Sequence, residues 1–152
     1  MAELISRVET EILVDHGSFD LIDDSGATGV LTCAPPGDGW LAVVDNEVMV
    51  RSPLAYHTAG VAVEAWDAEP VIGTEWEAVQ DARLRCASGM IDINPLIEGE
   101  DTVSIDVGGP GVYGIRVAVT GRAALIALGP HPEDEPVGVE HYLVQFWPVE
   151  SS

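Results

Sequence analysis

A histidine and a serine lie close together near the start of the chain, where His16-Gly17-Ser18 is flanked by Asp15 and Asp20. A serine nucleophile needs a histidine within hydrogen-bond reach and a carboxylate that orients this histidine. Neighbouring residues of a strand point to opposite faces, and the sequence contains no G-x-S-x-G elbow. We therefore expect Ser18 to be a turn residue ahead of a strand and not a nucleophile.

Thiol and metal chemistry find little support. Cys33 and Cys86 each lie inside an apolar alternating run, which predicts two buried, reduced thiols rather than a disulfide or a reactive cysteine. The segment HPEDEP (131–136), with His141 beyond it, holds one histidine and three carboxylates. It lacks the spacing of a calcium loop and the second His or Cys ligand that zinc prefers. We expect a solvated acidic loop there, and neither a metal nor a cofactor.

Two further patterns have ordinary explanations. The stretch GGPG (108–111) is rich in glycine, but it precedes a strand, whereas a phosphate-binding loop must open a helix. We predict a turn. Carboxylates are grouped at 23–24, at Asp92 with Asp106 and at 98–101, and a glycosidase uses such pairs. Since a chain with 26 acidic residues must contain pairs of this kind, the sequence assigns no catalytic residue.

Charge is the strongest functional signal. The 152 residues include 26 acidic side chains, six arginines and no lysine, which gives a formal net charge of −20. Nucleic acids and anionic membrane surfaces must be met by basic side chains, so both are excluded as expected partners. A basic protein partner is favoured, because opposite charge accelerates its approach. A need for solubility alone would also explain the charge.

The acidic residues are concentrated in three predicted turns, where solvated side chains are free to meet a partner. A surface of this kind can imitate the regularly spaced phosphates of DNA and occupy a basic cleft. The expected partner-binding residues are Asp20, Asp23, Asp24, Glu98, Glu100, Asp101, Glu133, Asp134 and Glu135.

The elements that must position these residues show a period of two. In residues 6–14, apolar positions alternate with Glu9 and Glu11, which is the pattern of a half-buried strand. The aromatic run at 142–147 is a second clear case, and Pro148 ends it. Segment 123–128 fits either a helical turn or a strand. The other predicted strands are 18–23, 29–34, 40–44, 47–51, 60–68, 76–86, 90–94, 102–107 and 112–120, with a hairpin turn at Asp45-Asn46 and a loop at 34–39.

About ten short strands separated by Gly and Pro predict an all-β fold, an antiparallel β-sandwich in which residues 1–152 form a single domain. No segment is long and apolar enough to predict a membrane span. The first residues lack the basic region of a signal peptide, so we expect a cytoplasmic protein.

Three stretches resemble the competence protein J family. They are ISRVETEILVDHGSFDLID (5–23), GVYGIRVAVTG (111–121) and EHYLVQFWP (140–148), and the segments 29–44 and 60–66 fall where that family has paired strands. The resemblance implies an inhibitor of a DNA-entry nuclease that acts by binding the nuclease and not by catalysis. It transfers no individual binding residue.

The leading hypothesis is therefore a non-catalytic protein that binds and inhibits a basic partner, either a nuclease or a toxin. The alternative is a β-sandwich that binds a carbohydrate or another small ligand. Trp40, Trp66 and Trp76 would form its stacking platform if they shared an exposed face. An enzyme that uses scattered carboxylates is the third and weakest hypothesis.

Overall fold

Ten strands and one short helix form the part of the chain that the computed structural model describes, which comprises residues 2–15, 17–24, 40–54, 56–93, 103–129 and 136–149. The all-β fold class is confirmed. The predicted strand at 29–34 and the predicted loop at 34–39 lie outside the described residues. The strands are β1 (Leu4–Asp15), β2 (Ser18–Asp23), β3 (Leu41–Val44), β4 (Glu47–Arg51), β5 (Tyr56–Trp66), β6 (Ala78–Cys86), β7 (Met90–Ile93), β8 (Val103–Asp106), β9 (Gly111–Thr120) and β10 (Val137–Pro148), and the helix is α1 (Arg122–Ala127).

The strands form one hydrogen-bonded network, which branches at β2 and divides into two five-stranded sheets. The first sheet has the order β1–β5–β10–β9–β6, and the second has the order β3–β4–β2–β7–β8. They are joined where Asp15 of β1 pairs with Ser18 of β2. The prediction that all strands are antiparallel is wrong at one ladder, because β5 and β10 run parallel. Parallel neighbours need a crossover connection, which the chain from β6 to α1 supplies here.

β10 lies in the centre of the first sheet, with β5 on one side and β9 on the other. Its alternation is the predicted one, since Tyr142, Val144 and Phe146 all point into the core and are at most 2% exposed. Tyr142 meets Phe19 of β2 edge to face, with ring centroids 4.9 Å apart. The final strand therefore connects the two sheets through the core as well as organising its own sheet.

Both sheets contribute to one hydrophobic core. Full burial of a large apolar side chain contributes about 1.5–3 kcal/mol to stability. The alternation predicted for β1 is confirmed, because Ile12 and Val14 are buried while Glu9 and Glu11 are exposed. The largest core side chains below 2% exposure are Phe19, Leu21, Leu84, Ile91, Ile115, Tyr142 and Phe146.

The predicted hairpin turn between β3 and β4 is confirmed. Asn46 adopts a φ of 66°, in the left-handed region that Asn tolerates better than most residues. Its side-chain oxygen accepts a hydrogen bond from the backbone N–H of Ala87 at 2.7 Å, and its own N–H donates to the carbonyl of Arg85 at 2.8 Å. The turn thus covers the end of the edge strand β6.

The sequence of segment 123–128 fitted either a helical turn or a strand. In the structure it is mainly helical. Gly121 has a φ of 87°, which ends β9 and starts α1. The carboxylate of Glu77 accepts hydrogen bonds from the N–H groups of Gly121 at 2.8 Å and Ala123 at 3.2 Å. These contacts satisfy donors that the start of a helix leaves without an intrahelical partner.

We expect Phe146→Ala to lower the free energy of unfolding by about 3–5 kcal/mol, because it leaves a cavity beneath the central strand. Chemical denaturation followed by circular dichroism measures this change. The control is Val137→Ala on the same strand, where the side chain is 60% exposed and the expected change is within about 0.5 kcal/mol. Equal effects of the two substitutions would contradict the central position of β10.

Candidate functional site

The outer face of the first sheet, opposite the core, carries an open groove of about 540 Å³ (the outer groove). Gly60 and Ala62 of β5 and Leu143 of β10 form its floor, and Leu143 is the register partner of Ala62. Glu9 and Glu11 of β1, together with Arg7, line one side. The floor is low because glycine and alanine stand where most strands carry larger side chains.

The position of one wall residue depends on a glycine. An added Cβ at Gly60 would lie 2.5 Å from Nδ1 of His141, so the imidazole rests directly on the backbone of β5. His141 and Gly60 are register partners in the parallel ladder. Any side chain at position 60 would displace the imidazole and change the shape of the outer groove.

Trp76 lines the groove from a segment, residues 67–77, that lies over the outer face. Arg116 of β9 holds the first half of this segment, since its guanidinium donates to the carbonyl of Pro70 at 2.7 Å and to the carboxylate of Glu69 at 2.8 Å. The second half is held by Glu77, whose N–H donates to the carbonyl of Val119 at 2.9 Å. Trp76 is therefore fixed between two anchored points.

The same arginine closes the remaining part of the outer face. Its guanidinium carbon lies 5.2 Å from the ring centroid of Trp147. The indole of Trp147 in turn lies flat on β9, where an added Cβ at Gly114 would stand 2.3 Å from the ring. The covered half of the face is thus packed, and the outer groove is its open half.

Carboxylates dominate the electrostatics of the outer groove. Arg7 forms ion pairs with Glu9 and with Glu64, whose side chain is only 9% exposed. Glu11 is exposed and has no ion-pair partner within the described part of the chain. Among the residues that line the groove, the carboxylates of Glu9 and Glu11 outnumber the guanidinium of Arg7. The groove therefore presents net negative charge around an indole and an apolar floor.

A second polar cluster is buried between the sheets, where Ser52, His57 and Glu140 meet. The Ser52 hydroxyl lies 2.7 Å from Nε2 of His57 and donates to Oε1 of Glu140 at 2.8 Å. Tyr142 donates to the same oxygen at 2.6 Å, and the other carboxylate oxygen lies 3.5 Å from Nε of Arg122. No local motif indicates this cluster, because Ser52 directly follows β4 and His57 lies in β5, whereas Glu140 lies in β10, 88 residues after Ser52.

This cluster has the residue types of a hydrolytic triad but a different connectivity. Oε1 of Glu140 accepts directly from Ser52 and lies 3.7 Å from Nε2 of His57, the same nitrogen that meets the serine. In a triad the carboxylate instead holds the other imidazole nitrogen, Nδ1. Ser52 is 5% exposed and His57 and Glu140 are fully buried, which keeps a substrate away. The cluster is built to satisfy buried polar groups.

The predicted partner-binding acids have different environments. Asp20 and Asp23 lie in strand β2 and not in the predicted turn. Asp24 is exposed, whereas Asp20 is half-buried and burial raises the pKa of its carboxyl. Asp23 is fully buried rather than solvated, and it accepts hydrogen bonds from the N–H groups of Ser88 at 3.0 Å and Gly89 at 2.8 Å. Its carboxylate holds the turn between β6 and β7. Glu98, Glu100, Asp101, Glu133, Asp134 and Glu135 lie outside the described residues.

The other residues that the sequence analysis considered for catalysis or phosphate binding have structural roles wherever they fall within the described residues. Ser18 is the first residue of β2, while His16 and Cys33 lie outside the described residues. The turn predicted at 108–111 is confirmed, with Gly108 at a φ of 129° and Gly109 at 99°. Cys86 is a free, buried thiol, and burial raises its pKa to about 12. Such a thiol is a poor nucleophile at neutral pH.

Metal and membrane sites have no structural counterpart in the described residues. The described ranges contain no group of three or more His, Cys, Asp or Glu side chains arranged to hold a metal ion. Among the same residues, no helix is both long and apolar enough to cross a membrane.

The three tryptophans proposed as a stacking platform are separated. Trp76 lines the outer groove, and Trp66 lines a different depression and donates to Glu64 at 2.9 Å. Trp40 packs against the core, under the guanidinium of Arg122 at 4.9 Å. The condition for a shared stacking platform is therefore not met, and of these three rings only Trp76 lines the groove.

Two solved structures are similar to this chain over nearly its whole length. The crystal structure of ComJ, inhibitor of the DNA degrading activity of NucA, from Bacillus subtilis, has a TM-score of 0.59 at 12% sequence identity and covers 98% of this chain and 99% of that chain. The chain has a ComJ-like fold. A second structure, described as crocagin biosynthetic gene J, has a TM-score of 0.58 at 12% identity and covers 96% and 100% of the two chains. No family model and no curated protein sequence matches the chain.

The resemblance to the competence protein J family is thus confirmed at the level of the ComJ-like fold. At 12% identity the comparison establishes the fold but assigns no role to individual residues. Within the described residues, two places combine charged and polar side chains with aromatic ones. The outer groove is open to solvent, and the cluster around Glu140 is buried between the sheets. A partner can reach only the first without rearrangement.

The buried cluster predicts a specific pH dependence. Burial raises the pKa of Glu140 above its ordinary value of 4.5. The folded state then keeps a proton that the unfolded state has lost, so the free energy of unfolding falls as the pH rises from 4.5 through the raised pKa. Glu140→Gln keeps an oxygen that can accept from Ser52 and Tyr142 but removes this titration.

We therefore expect Glu140→Gln to gain stability relative to the wild type as the pH rises through that window, by about 1.4 kcal/mol for each unit of pKa elevation. Urea unfolding at a series of pH values measures the difference. The control is Glu11→Gln, which removes an exposed carboxyl of the outer face. Stability curves of Glu140→Gln and wild type that stay parallel across the window would contradict the assignment.

Proposed function

We propose that this chain is a non-catalytic inhibitor that binds a basic protein, and that this partner is a nuclease or a toxin with nuclease activity. The observation that carries the proposal is the similarity to ComJ over 98% of this chain, because ComJ is described as an inhibitor of the DNA-degrading activity of NucA. The net charge of −20 supports it independently. A protein that cleaves DNA must present basic side chains to phosphates, and an acidic protein can occupy the same surface.

The proposed contacts are made by exposed acidic residues. Asp24 and the half-buried Asp20 are the described members of the predicted acidic turns that remain available to a partner. Asp23 supports them indirectly, through the turn that its carboxylate holds. The proposal also keeps Glu98, Glu100, Asp101, Glu133, Asp134 and Glu135, which lie outside the described residues.

Inhibition by binding needs no group transfer by this chain. The inhibitor would exclude DNA by covering the basic cleft, and no cofactor takes part. The direct contact of Ser52 with the buried Glu140 and the burial of Cys86 support this non-catalytic role. A cytoplasmic location is part of the proposal and is supported by the free thiol of Cys86, since the cytosol keeps thiols reduced.

Binding of a carbohydrate or another small ligand is the second candidate function, and the outer groove is the observation that favours it. Its volume of about 540 Å³ lies within the range of small-molecule sites, and Trp76 offers one stacking surface. If this function is correct, neutral monosaccharides should shift the indole N–H signal of Trp76 in nuclear magnetic resonance spectra. An unchanged signal across a panel of neutral sugars would contradict it.

The inhibitor hypothesis predicts that the purified protein blocks DNA degradation by a nuclease of its source organism. Plasmid cleavage by fractionated nuclease activity measures this, and inhibition should reach completion near an equimolar ratio. Because charge steers the encounter, we expect the association rate to fall by about 10-fold or more between low and high salt.

Two controls separate this mechanism from others. The protein alone should leave the electrophoretic mobility of the plasmid unchanged, which excludes protection through DNA binding. Asp24→Asn combined with Asp20→Asn should slow association while the melting temperature stays close to that of the wild type. An absence of inhibition across all nuclease fractions, or an association rate that ignores salt, would contradict the proposal.

A further inference from the structure

The outer groove has the composition of a receptor for a positively charged side chain. We propose that it receives an arginine of the basic partner, with the guanidinium held between the indole of Trp76 and the carboxylate of Glu11. This inference rests on the proposed function in taking the partner to be a basic protein. It goes further because it names the anchoring site and the residue type that fills it.

The distribution of charge in the groove is the first argument. Arg7 already satisfies Glu9, whereas Glu11 has no ion-pair partner in the described part of the chain. Arg7, the arginine that lines the groove, is paired with Glu9 and Glu64. An incoming cation therefore meets the free carboxylate of Glu11 on the β1 side of the groove, and the guanidinium nearest to it is already engaged.

The treatment of tryptophan elsewhere in the molecule is the second argument. Arg116 lies over Trp147 at 5.2 Å and Arg122 lies over Trp40 at 4.9 Å, both within the distance of about 6 Å at which a cation and an aromatic ring attract. Within the described residues, no guanidinium lies over Trp76 or Trp66 in this way. The N–H of Trp66 donates to Glu64, whereas Trp76 lines the open groove, where an incoming cation can reach its ring.

The shape of the groove favours arginine over lysine. A planar guanidinium can stack on an indole and donate to a carboxylate at the same time, whereas a compact ammonium group cannot use both geometries as well. The floor of Gly60, Ala62 and Leu143 offers an apolar surface for the methylene stem. Arginine is also among the residues that contribute most to interfaces.

A peptide experiment tests the site without a nuclease. The probe is acetyl-Gly-Arg-Gly-amide, compared with the same peptide carrying neutral citrulline, and the readout is the indole N–H signal of Trp76, assigned with Trp76→Phe. We expect the arginine peptide to shift this signal in the wild type and the citrulline peptide to leave it in place. No shift with arginine, or an equal shift with citrulline, would overturn the proposal.

Variants then separate the groove from the rest of the acidic surface. Glu9→Gln with Glu11→Gln removes two charges in the groove, and Asp45→Asn with Asp106→Asn removes two exposed charges that belong neither to the groove nor to the proposed acidic contacts. Ala62→Phe fills the floor without changing the charge. We expect the first and third variants to weaken both the peptide shift and the nuclease inhibition by about 10-fold or more, and the second to retain both more closely.

The outcomes distinguish this inference from the proposed function. If the wild type inhibits a nuclease and the groove variants inhibit equally well while melting like the wild type, the groove assignment fails and the inhibitor function stands. If the arginine peptide binds in the groove but no nuclease fraction is inhibited, the function fails and the site stands. A groove variant that melts early is replaced by Glu11→Gln alone, which touches only an exposed side chain.

Discussion

The insertion of β10 between β5 and β9 is the constraint on which the rest of the structure depends. A strand with hydrogen-bonded neighbours on both sides must divide its side chains between two faces, and one face of β10 is filled by the core residues Tyr142, Val144 and Phe146. Everything else that β10 carries must be accommodated on the outer face. Two large rings there, those of His141 and Trp147, fit only because Gly60 and Gly114 stand beneath them.

This arrangement also explains why the outer face is divided. Arg116 gathers Asp81, Glu69 and the carbonyl of Pro70 around itself, so one half of the face is covered by the chain. The guanidinium is nearly buried and is compensated by several acceptors, which is the condition under which a buried charge is tolerated. Beyond the reach of Arg116 the face stays open, and the outer groove is the result.

Periodicity predicted the fold well because the physics of a half-buried strand is local. The alternation in β1 and β10 and the left-handed Asn46 could be inferred from a few neighbouring residues. The parallel β5–β10 ladder could not, because a period of two is the same for parallel and antiparallel strands. Strand β5 begins at Tyr56, before the predicted residue 60, and pairing with β1 and β10 decided that boundary.

The candidate site was less accessible to sequence reasoning, because its members come from separate strands. The acidic clusters were visible in the sequence. The alternation in β2 also places Asp23 in phase with the buried Phe19 and Leu21, but only the structure shows that its carboxylate binds the 88–89 backbone. Trp76 was recognised as a candidate ring, yet its position depends on Glu77 and Arg116, which act across the sheet. Side chains that meet only through tertiary contacts leave no periodic signal.

The positions of the arginines make the charge distribution of the molecule uneven. Arg7, Arg116 and Arg122 are engaged with carboxylates of the chain itself, so they reduce the surface charge only locally. Arg83 and Arg85 are exposed on β6, at the opposite edge of the first sheet from β1 with its exposed glutamates. Asp81 and Glu69, the carboxylates near this edge, are paired with Arg116. A basic partner is therefore attracted more strongly to the β1 side than to the β6 edge. The net charge alone would permit any orientation of the partner. The uneven distribution of charge instead favours encounters in which a basic partner meets the outer groove and not the opposite edge of the sheet.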